Sequence, residues 1–415
     1  MLIIVLKIII PFLVIMQLLP LLIWLERKGA AYIQDRRGPN RAAILGVRLG
    51  GVVHSLADVV KLIFKEDIFP TNANKFIYTI APFIAMAVAC VTFAVIPWAS
   101  PLEWKGSAFS LQAVDLNVGI LYIFAIGSMG VYGIMLAGWG SNNKYSLLGG
   151  LRASAQMISY ELTLSLSVVG VLIFAGSLEL NTIVQNQGSN LLSWNVIRQP
   201  LGCLLFVVSA FAETNRLPFD LPEAEAELVA GYHVEYSSLK FALFFMAEYA
   251  NMIVASALIA TLFFGGWQVP FVSTETLRTY AQPIAYYSVL GLGLFSVAAG
   301  WFLVRRKHKV VYHDARDYET KVLGFPALLV GLALIAGQIL YGPLPLGETG
   351  SQVAAAAFQF GAFLAKILFF CWVFIWVRWT LPRFRYDQLM KLGWRVMLPL
   401  ALLNVVVTAG IYLWF

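Results

Sequence analysis

Long stretches without charged residues constrain this chain more than any other feature of its sequence. Ten stretches contain no Asp, Glu, Lys or Arg: residues 8–25, 76–102, 116–143, 162–178, 199–212, 249–274, 279–304, 322–347, 367–377 and 396–415. A helix of about 20 apolar residues crosses the hydrocarbon layer of a membrane and satisfies its own backbone there. Because 60% of all residues are hydrophobic and only 12% are charged, the sequence predicts an all-α, polytopic integral membrane protein with about ten transmembrane helices.

The basic residues predict an orientation. Of the 29 Lys and Arg, 23 fall in five alternate loops: 26–70, 140–152, 212–240, 305–321 and 378–395. Cytoplasmic loops are enriched in Lys and Arg, so we expect these loops on the cytoplasmic side of a membrane and both termini on the outer side. The net charge of +7 then reflects topology and requires no nucleic-acid partner. The first stretch lacks a small-residue cleavage pattern, which predicts a retained helix and not a signal peptide.

The cysteines indicate no metal centre and no redox cofactor in this chain. Cys90, Cys203 and Cys371 each stand alone in an apolar stretch, and no Cys-x-x-Cys pair or Cys/His cluster occurs. Such cysteines usually pack as small hydrophobic side chains. No strand pattern and no Gly-rich nucleotide loop after a strand is present either. A redox cofactor would therefore belong to a partner subunit.

Acidic residues are concentrated in residues 213–235, which we call the acid-rich segment. Six of the chain's 22 acids lie between residues 213 and 235: Glu213, Asp220, Glu223, Glu225, Glu227 and Glu235. Carboxylates beside a bilayer are costly and often mark ion paths or functional interfaces. Because crowded carboxylates repel one another, at least one is predicted to exchange protons near neutral pH. An acidic surface that docks a basic partner is the alternative.

Three predicted transmembrane helices carry one isolated charge each, namely Glu161, Glu248 and Lys366. A charge at the centre of a bilayer costs about 3 kcal/mol on insertion scales, and such residues usually serve a function. We predict proton or ion handling for the two acids and a charge-partner role for Lys366.

A different helical pattern follows the first transmembrane stretch. His54, Asp58, Lys61 and Lys65 recur at the spacing of one helical face,. Apolar residues occupy the opposite face, which predicts an amphipathic helix in the membrane interface. Its charges either serve a site or are simply solvated.

Five motifs in order resemble the H subunit of the NADH–quinone oxidoreductase of respiratory complex I, the family of mitochondrial subunit 1. They are Glu26-Arg27-Lys28 with Gln34, Arg36 and Gly38-Pro39-Asn40; Ser141-Asn142-Asn143-Lys144-Tyr145-Ser146; Ser159-Tyr160-Glu161; residues 218–225; and residues 378–388. The similarity covers residues from about 10 to 265 and from about 355 to 410.

The resemblance implies a membrane-arm subunit of a proton-translocating enzyme, with no redox cofactor and no catalytic residue of its own. Quinone, either ubiquinone or menaquinone, would be the substrate, and partner subunits would hold FMN and iron–sulfur clusters. Residues that would line or support the quinone-binding chamber are Glu26, Arg27, Gln34, Arg36 and Asp58. Residues that would couple quinone reduction to protons are Glu161, Glu213, Asp220, Glu223, Glu225, Glu227, Glu248 and Lys366.

The resemblance also predicts three regions. Residues 1–265 form the family core, and residues 351–415 supply its last two transmembrane helices. Residues 275–350 depart from the family pattern and read as an inserted transmembrane hairpin. The basic loop of this hairpin, residues 305–309, either binds anionic lipid or a neighbouring subunit, or simply anchors the topology.

Three other functions remain open at this point. A membrane anchor of an energy-converting hydrogenase shares part of the motif set, although the motif at residues 141–146 and the Arg36–Asn40 motif favour the quinone enzyme. A secondary transporter is expected to contain internal repeats, and none is evident. A purely structural anchor is the third alternative. The sequence leaves open the electron donor, NADH or ferredoxin, and the direction in which protons move.

Overall fold

The computed structural model describes residues 2–36, 38–44, 47–104, 107–220, 231–305, 318–343 and 345–414. In chain order, its α-helices are α1 Leu2–Ile33, α2 Val53–Phe64, α3 Lys75–Thr92, α4 Gly119–Gly140, α5 Lys144–Ala175, α6 Leu180–Gln187, α7 Asn195–Arg198, α8 Pro200–Glu213, α9 Ser238–Phe263, α10 Thr274–Thr279, α11 Ala281–Arg305, α12 Glu319–Tyr341, α13 Glu348–Thr380, α14 Tyr386–Lys391 and α15 Leu398–Trp414. Short 3-10 helices are Leu49–Gly51, Phe93–Val95, Leu191–Ser193 and Gly231–His233, and a π-helix, Leu392–Met397, joins α14 to α15.

The predicted fold class is confirmed. Among the described residues, nine helices are long and apolar enough to cross a membrane. The stretch 199–212 instead forms α8, which has 14 residues and is about 21 Å long, less than the roughly 30 Å of a hydrocarbon layer. After α8 the chain turns back into the protein, where Thr214 and Arg216 are buried.

One short hairpin is present that no sequence pattern indicated. β1, Leu102–Trp104, pairs antiparallel with β2, Ser107–Phe109. Strands of three residues are too short to produce a recognisable alternation of apolar and polar side chains. A helix is present where the sequence predicted the amphipathic one, as α2, with Val59 and Ile63 of its apolar face exposed. Its place in the membrane interface stays a prediction.

Helix α9 lies at the centre of the bundle, since 72% of its most apolar 18-residue stretch is buried. A buried helix end needs partners for its last carbonyl groups. Gln187 Nε2 donates to Thr261 O at 2.9 Å, and Asn195 Nδ2 donates to Leu262 O at 2.8 Å. These side chains fix the end of α9 that lies far from the acid-rich segment.

Helices α11 and α12 form an antiparallel hairpin that packs mainly on itself. Gly293 faces Gly331, and Gly300 faces Gly324; a Cβ atom on Gly331 would lie 2.7 Å from Gly293 O. Glycines let membrane helices approach closely. The outer faces are exposed, since only 11% of the most apolar 18-residue stretch of each helix is buried. The hairpin lies within the predicted region 275–350, and residues 306–309 of its basic loop lie outside the described residues.

Several helices begin or end at one end of the bundle, which we call the loop end. Its described connections lie within residues 34–74, 141–143, 214–220, 231–237 and 381–385, and they contact one another. Asn74 N donates to Gly140 O at 3.1 Å, and Phe384 N donates to Pro218 O at 3.0 Å. These contacts bring segments that are distant in sequence together around the acid-rich segment.

Candidate functional site: a buried charge network beside an apolar groove

Arg216 stands at the centre of a buried charge network at the loop end. Its Nη1 donates to Glu26 Oε2 at 2.6 Å. Its Nε lies 2.9 Å from Glu248 Oε1, an ion pair without hydrogen-bond geometry. The guanidinium also lies 4.2 Å from the centre of the Tyr249 ring. With only 1% of its surface exposed, Arg216 depends on these carboxylates for its charge to be tolerated.

Glu26 connects three elements of the network. Its Oε1 accepts from Arg378 Nη1 at 2.6 Å, while its Oε2 accepts from Tyr249 OH at 2.8 Å and from Arg216. Two arginines and two glutamates therefore balance in formal charge. Burial alone would lower the pKa of Arg216, but Glu26 and Glu248 hold that pKa above its ordinary value,.

Asp220 extends this arrangement toward the fifth motif. Its Oδ2 accepts from Arg383 Nη2 at 3.2 Å, whereas its Oδ1 has no hydrogen-bond partner among the described residues. Burial raises the pKa of Asp220 to about 6, although Arg383 acts in the opposite direction. Burial therefore favours the protonated form of Asp220 more than water would.

A cavity of about 70 Å³ extends from the network into the interior of the helix bundle. Glu213 and Glu248 both line it, together with Asn215 and Asn251. Glu213 Oε1 also faces Gly127 of α4, where an added Cβ atom would lie 3.6 Å away. Two of the predicted carboxylates thus share one small cavity.

Glu161 lies on α5 beside this cavity. It accepts a hydrogen bond from Ser128 Oγ of α4 and is close enough to Glu213 to repel it electrostatically. Glu161, Glu213 and Glu248 therefore form a sequence of carboxylates that ends at Arg216.

An apolar groove of about 320 Å³ lies between α1, α2 and α9. Its lining is mostly aliphatic and aromatic: Met16, Leu19, Pro20, Ile23, Val59, Leu62, Leu239, Phe241, Ala242, Phe245 and Met246, with polar side chains from Arg27, Ser55, Asp58 and Lys61. Arg27 and Asp58 form an ion pair that is partly exposed. The groove suits an elongated apolar ligand with a polar group near its charged rim.

The other predicted site residues are not all brought together. Arg36 Nε donates to Gln34 Oε1 at 2.8 Å in an exposed turn after α1, and neither residue is among the described residues that line the groove. Lys366 Nζ donates to the carbonyl oxygens of Phe264, Gly266 and Gln268 at 2.7–2.8 Å. Its described contacts are therefore at the far end of α9, away from Arg216.

Three acids of the predicted set, Glu223, Glu225 and Glu227, lie outside the described residues. Within the part of the chain that the structure describes, no group of three or more His, Cys, Asp or Glu side chains is placed to hold a metal ion.

Sequence reasoning missed Arg216, Tyr249 and Arg378 as members of the site. A signal existed for Arg216, because it is the one Lys or Arg between residues 213 and 235. Arg378 begins the fifth motif, so its place beside Glu26 could have been suspected. Tyr249 gave no signal beyond its position next to Glu248.

The fold and the site define a polytopic membrane protein in which a balanced, buried charge network adjoins an apolar groove. The chain belongs to the NADH dehydrogenase family, whose model matches residues 5–409. It is similar to the H 1 subunit of the NADH-quinone oxidoreductase of Solibacter usitatus, with 46% identity over 405 residues, 97% of this chain and 94% of the relative.

Two further relatives match almost as much of the chain. NADH-quinone oxidoreductase subunit 8 of Rhodothermus marinus is 45% identical over 390 residues, 94% of this chain and 91% of the relative. The H subunit of the NADH-quinone oxidoreductase of Bdellovibrio bacteriovorus is 40% identical over an alignment of 428 positions that covers 97% of this chain and 94% of the relative. The family resemblance predicted from the five motifs is confirmed.

Proposed function

We propose that this chain is a membrane-arm subunit of a proton-translocating NADH–quinone oxidoreductase in a bacterial plasma membrane. In this proposal it forms part of the quinone-binding chamber and couples quinone reduction to proton translocation through its carboxylates. The names of the relatives support a quinone oxidoreductase over a hydrogenase anchor or a transporter. FMN and iron–sulfur clusters would be held by partner subunits of the complex.

One observation carries the proposal: two of the three helices that line the groove, α1 and α9, also contribute side chains to the charge network. On α1, Arg27 lines the groove while the preceding residue, Glu26, pairs with Arg216. On α9, Met246 lines the groove and Glu248 belongs to the network. A quinone in the groove would therefore contact residues that lie only one or two positions along a helix from buried, titratable groups.

The chemistry of quinone reduction gives this arrangement a purpose. An isoprenoid tail needs an apolar conduit, and the head group needs hydrogen-bond donors. Reduction to quinol takes up two electrons and two protons, and any change of charge beside the network alters the protonation of coupled carboxylates. A change of one pKa unit in such a group corresponds to about 1.4 kcal/mol.

The contacts suggest a route for this effect. It would pass from Glu26 and Arg216 to Glu248, across the shared cavity to Glu213, and then to Glu161. Asp220, which pairs with Arg383, would respond to a change of charge in the network. In the proposal, Gln34 and Arg36 contribute from their exposed turn, where a partner subunit would complete the chamber. The roles of Glu223, Glu225 and Glu227 stay predictions.

The groove can be tested with one substitution on its open side. Val59 lines the groove and is 46% exposed, so Val59→Trp narrows the groove without overpacking the core. We expect the KM for a quinone with a long isoprenoid tail to rise about tenfold, which corresponds to about 1.4 kcal/mol of binding. The KM for a short-tailed quinone should change less than about twofold.

Val60→Trp is the matched control, because Val60 is 47% exposed on the same helix but is not among the described groove residues. It should leave both KM values unchanged. Equal effects of Val59→Trp on long- and short-tailed quinones, in fully assembled complex, would contradict the proposed groove.

A further inference from the structure

Residues 231–237, which we call the return segment, include the downstream end of the acid-rich segment and lead into α9. The first turns of α5 hold this segment closely. Ser146 Oγ donates to Tyr232 O at 2.9 Å. A Cβ atom on Gly149 would lie 2.8 Å from Gly231 Cα, so the two backbones are in direct contact. The downstream end of the acid-rich segment is therefore fixed against α5.

The upstream end is fixed by the same face of α5. Gln156 Nε2 donates to Ala212 O at 2.8 Å and to Phe219 O at 2.9 Å. Ser146, Gly149 and Gln156 are separated by three and seven residues, which places them along one side of the helix. Glu161 follows within the same helix. Helix α5 thus links Glu161 to both ends of the segment that supplies Glu213.

Asn143 makes two contacts at the start of this face. Its Oδ1 accepts from Tyr145 N at 2.9 Å and caps the N-terminus of α5,. Its Nδ2 donates to Glu235 Oε1 at 2.5 Å. Both side chains are half-buried. The cap keeps α5 intact, and the second contact joins α5 to an acid that lies in the return segment.

We propose that Asn143 is a positioning residue, which holds the return segment through Glu235 and so sets the placement of the acid-rich segment and Glu248 relative to Glu161. The motif at residues 141–146 then has a physical task. Asn142 Nδ2 donates to Asn72 O at 3.1 Å, so the motif also contacts and holds the connection between α2 and α3. This inference rests on the proposed coupling function of the carboxylates.

Replacing the Asn143 amide by a carboxylate tests its two contacts separately, because it preserves the helix cap and removes the donor to Glu235. Asn143→Asp keeps an N-cap oxygen, since Asp caps helices about as well as Asn, but it sets a second carboxylate against Glu235. We expect amide-hydrogen-exchange protection of residues 231–237 in the assembled complex to fall about tenfold. The kcat of quinone-dependent NADH oxidation per assembled complex should fall by a similar factor, with the KM for quinone unchanged.

Adding Glu235→Gln should reverse both effects to within about twofold, because the amide introduced at position 235 can donate to the carboxylate introduced at position 143. Glu235→Gln alone should be mild, since Asn143 can still donate to an amide oxygen. Asn186→Asp is the matched control: Asn186 Nδ2 donates to Ala175 O at the other end of α5, and its loss should leave kcat unchanged.

The outcomes distinguish this inference from the function on which it rests. If Asn143→Asp lowers protection and kcat and the double variant does not restore them, the contact with Glu235 is not the cause and the inference is wrong. If Asn143→Asp has no effect while Glu213→Gln lowers turnover, the inference fails and the proposed function stands. If Glu213→Gln is also without effect, the proposed function fails, while the protection measurement still tests the contact itself.

Discussion

Arg216 and Arg27 each pair with a carboxylate, but their surroundings differ. The side chains of Arg216 and Glu26 are 0% and 7% exposed, whereas those of Arg27 and Asp58 are 44% and 36% exposed. An exposed ion pair contributes about 0–1 kcal/mol because water and salt screen it. Removing one member of a buried pair leaves an uncompensated charge and costs about 3–5 kcal/mol.

This contrast predicts unequal effects of the same substitution. Arg216→Met should lower the thermal stability and the amount of assembled complex sharply, because Glu26 and Glu248 lose their shared cation. Arg27→Met should change the melting temperature little. Thermal unfolding of both purified variants checks this, and equal stability of the two would show that Arg216 does not neutralise the buried acids.

Lys366 illustrates a different use of a buried charge. Its three carbonyl partners follow the C-terminal end of α9, where a cation is favoured by the unpaired carbonyl groups. Lys366→Met should therefore lower the melting temperature of the complex, while the turnover of the molecules that assemble stays near normal. Lost turnover or proton yield at unchanged stability would instead support the predicted charge-partner role.

At the scale of elements, the return segment contains a group that is sensitive to acid. His233 packs against Tyr232 and Phe241, with ring centres 5.0 and 5.5 Å apart, and burial lowers the pKa of His233 to about 4. Since the ordinary value is 6.5, the folded segment favours the neutral imidazole. This preference is fully present above pH 6.5 and is lost as the pH falls toward 4.

His233→Gln removes this titration. The wild-type segment should lose up to roughly 3 kcal/mol of local stability between about pH 6.5 and pH 4, at about 1.4 kcal/mol per pKa unit. Limited proteolysis across that range should show increasing cleavage of residues 231–237 in the wild type and a flatter profile in the variant. Identical profiles would assign the acid sensitivity to other groups.

The hairpin of α11 and α12 allows an equally direct comparison. Gly331 meets the backbone of Gly293, whereas Gly337 on the same helix has no atom within 4 Å of an added Cβ. Gly331→Leu should separate the helices and lower the melting temperature. Gly337→Leu should be neutral or slightly stabilising, because Leu favours helices over Gly by somewhat less than 1 kcal/mol. A similar response of both variants would contradict the close packing.

Most elements could be predicted from the sequence because each has a local pattern. Charge-free stretches predicted the long helices, and the spacing of His54 and Asp58 predicted α2. The short α8 could not be predicted, because its composition matches that of a transmembrane helix and its end depends on how residues 214–220 pack. The hairpin of β1 and β2 is likewise too short for a periodic signal.

At the scale of the whole molecule, the site residues were easier to find than their partners. Glu26, Glu213 and Glu248 stood out as acids in or near apolar sequence. Their contacts join residues up to 352 positions apart, as in the bond between Arg378 and Glu26. No local periodicity encodes such a pairing, since it depends on which helices meet at the loop end.

In the proposed function, buried carboxylates link quinone reduction to proton movement. Glu213 tests it most directly, since it lies between Glu248 and Glu161 and a glutamine nearly preserves its shape. The same substitution at Glu225 is predicted from the sequence to act in the same way.

The decisive measurement is NADH oxidation with quinone, recorded together with proton uptake, by assembled Glu213→Gln complex in sealed proteoliposomes. We expect normal assembly, with turnover and proton uptake reduced at least several-fold. Normal turnover with a normal proton yield per electron would contradict it.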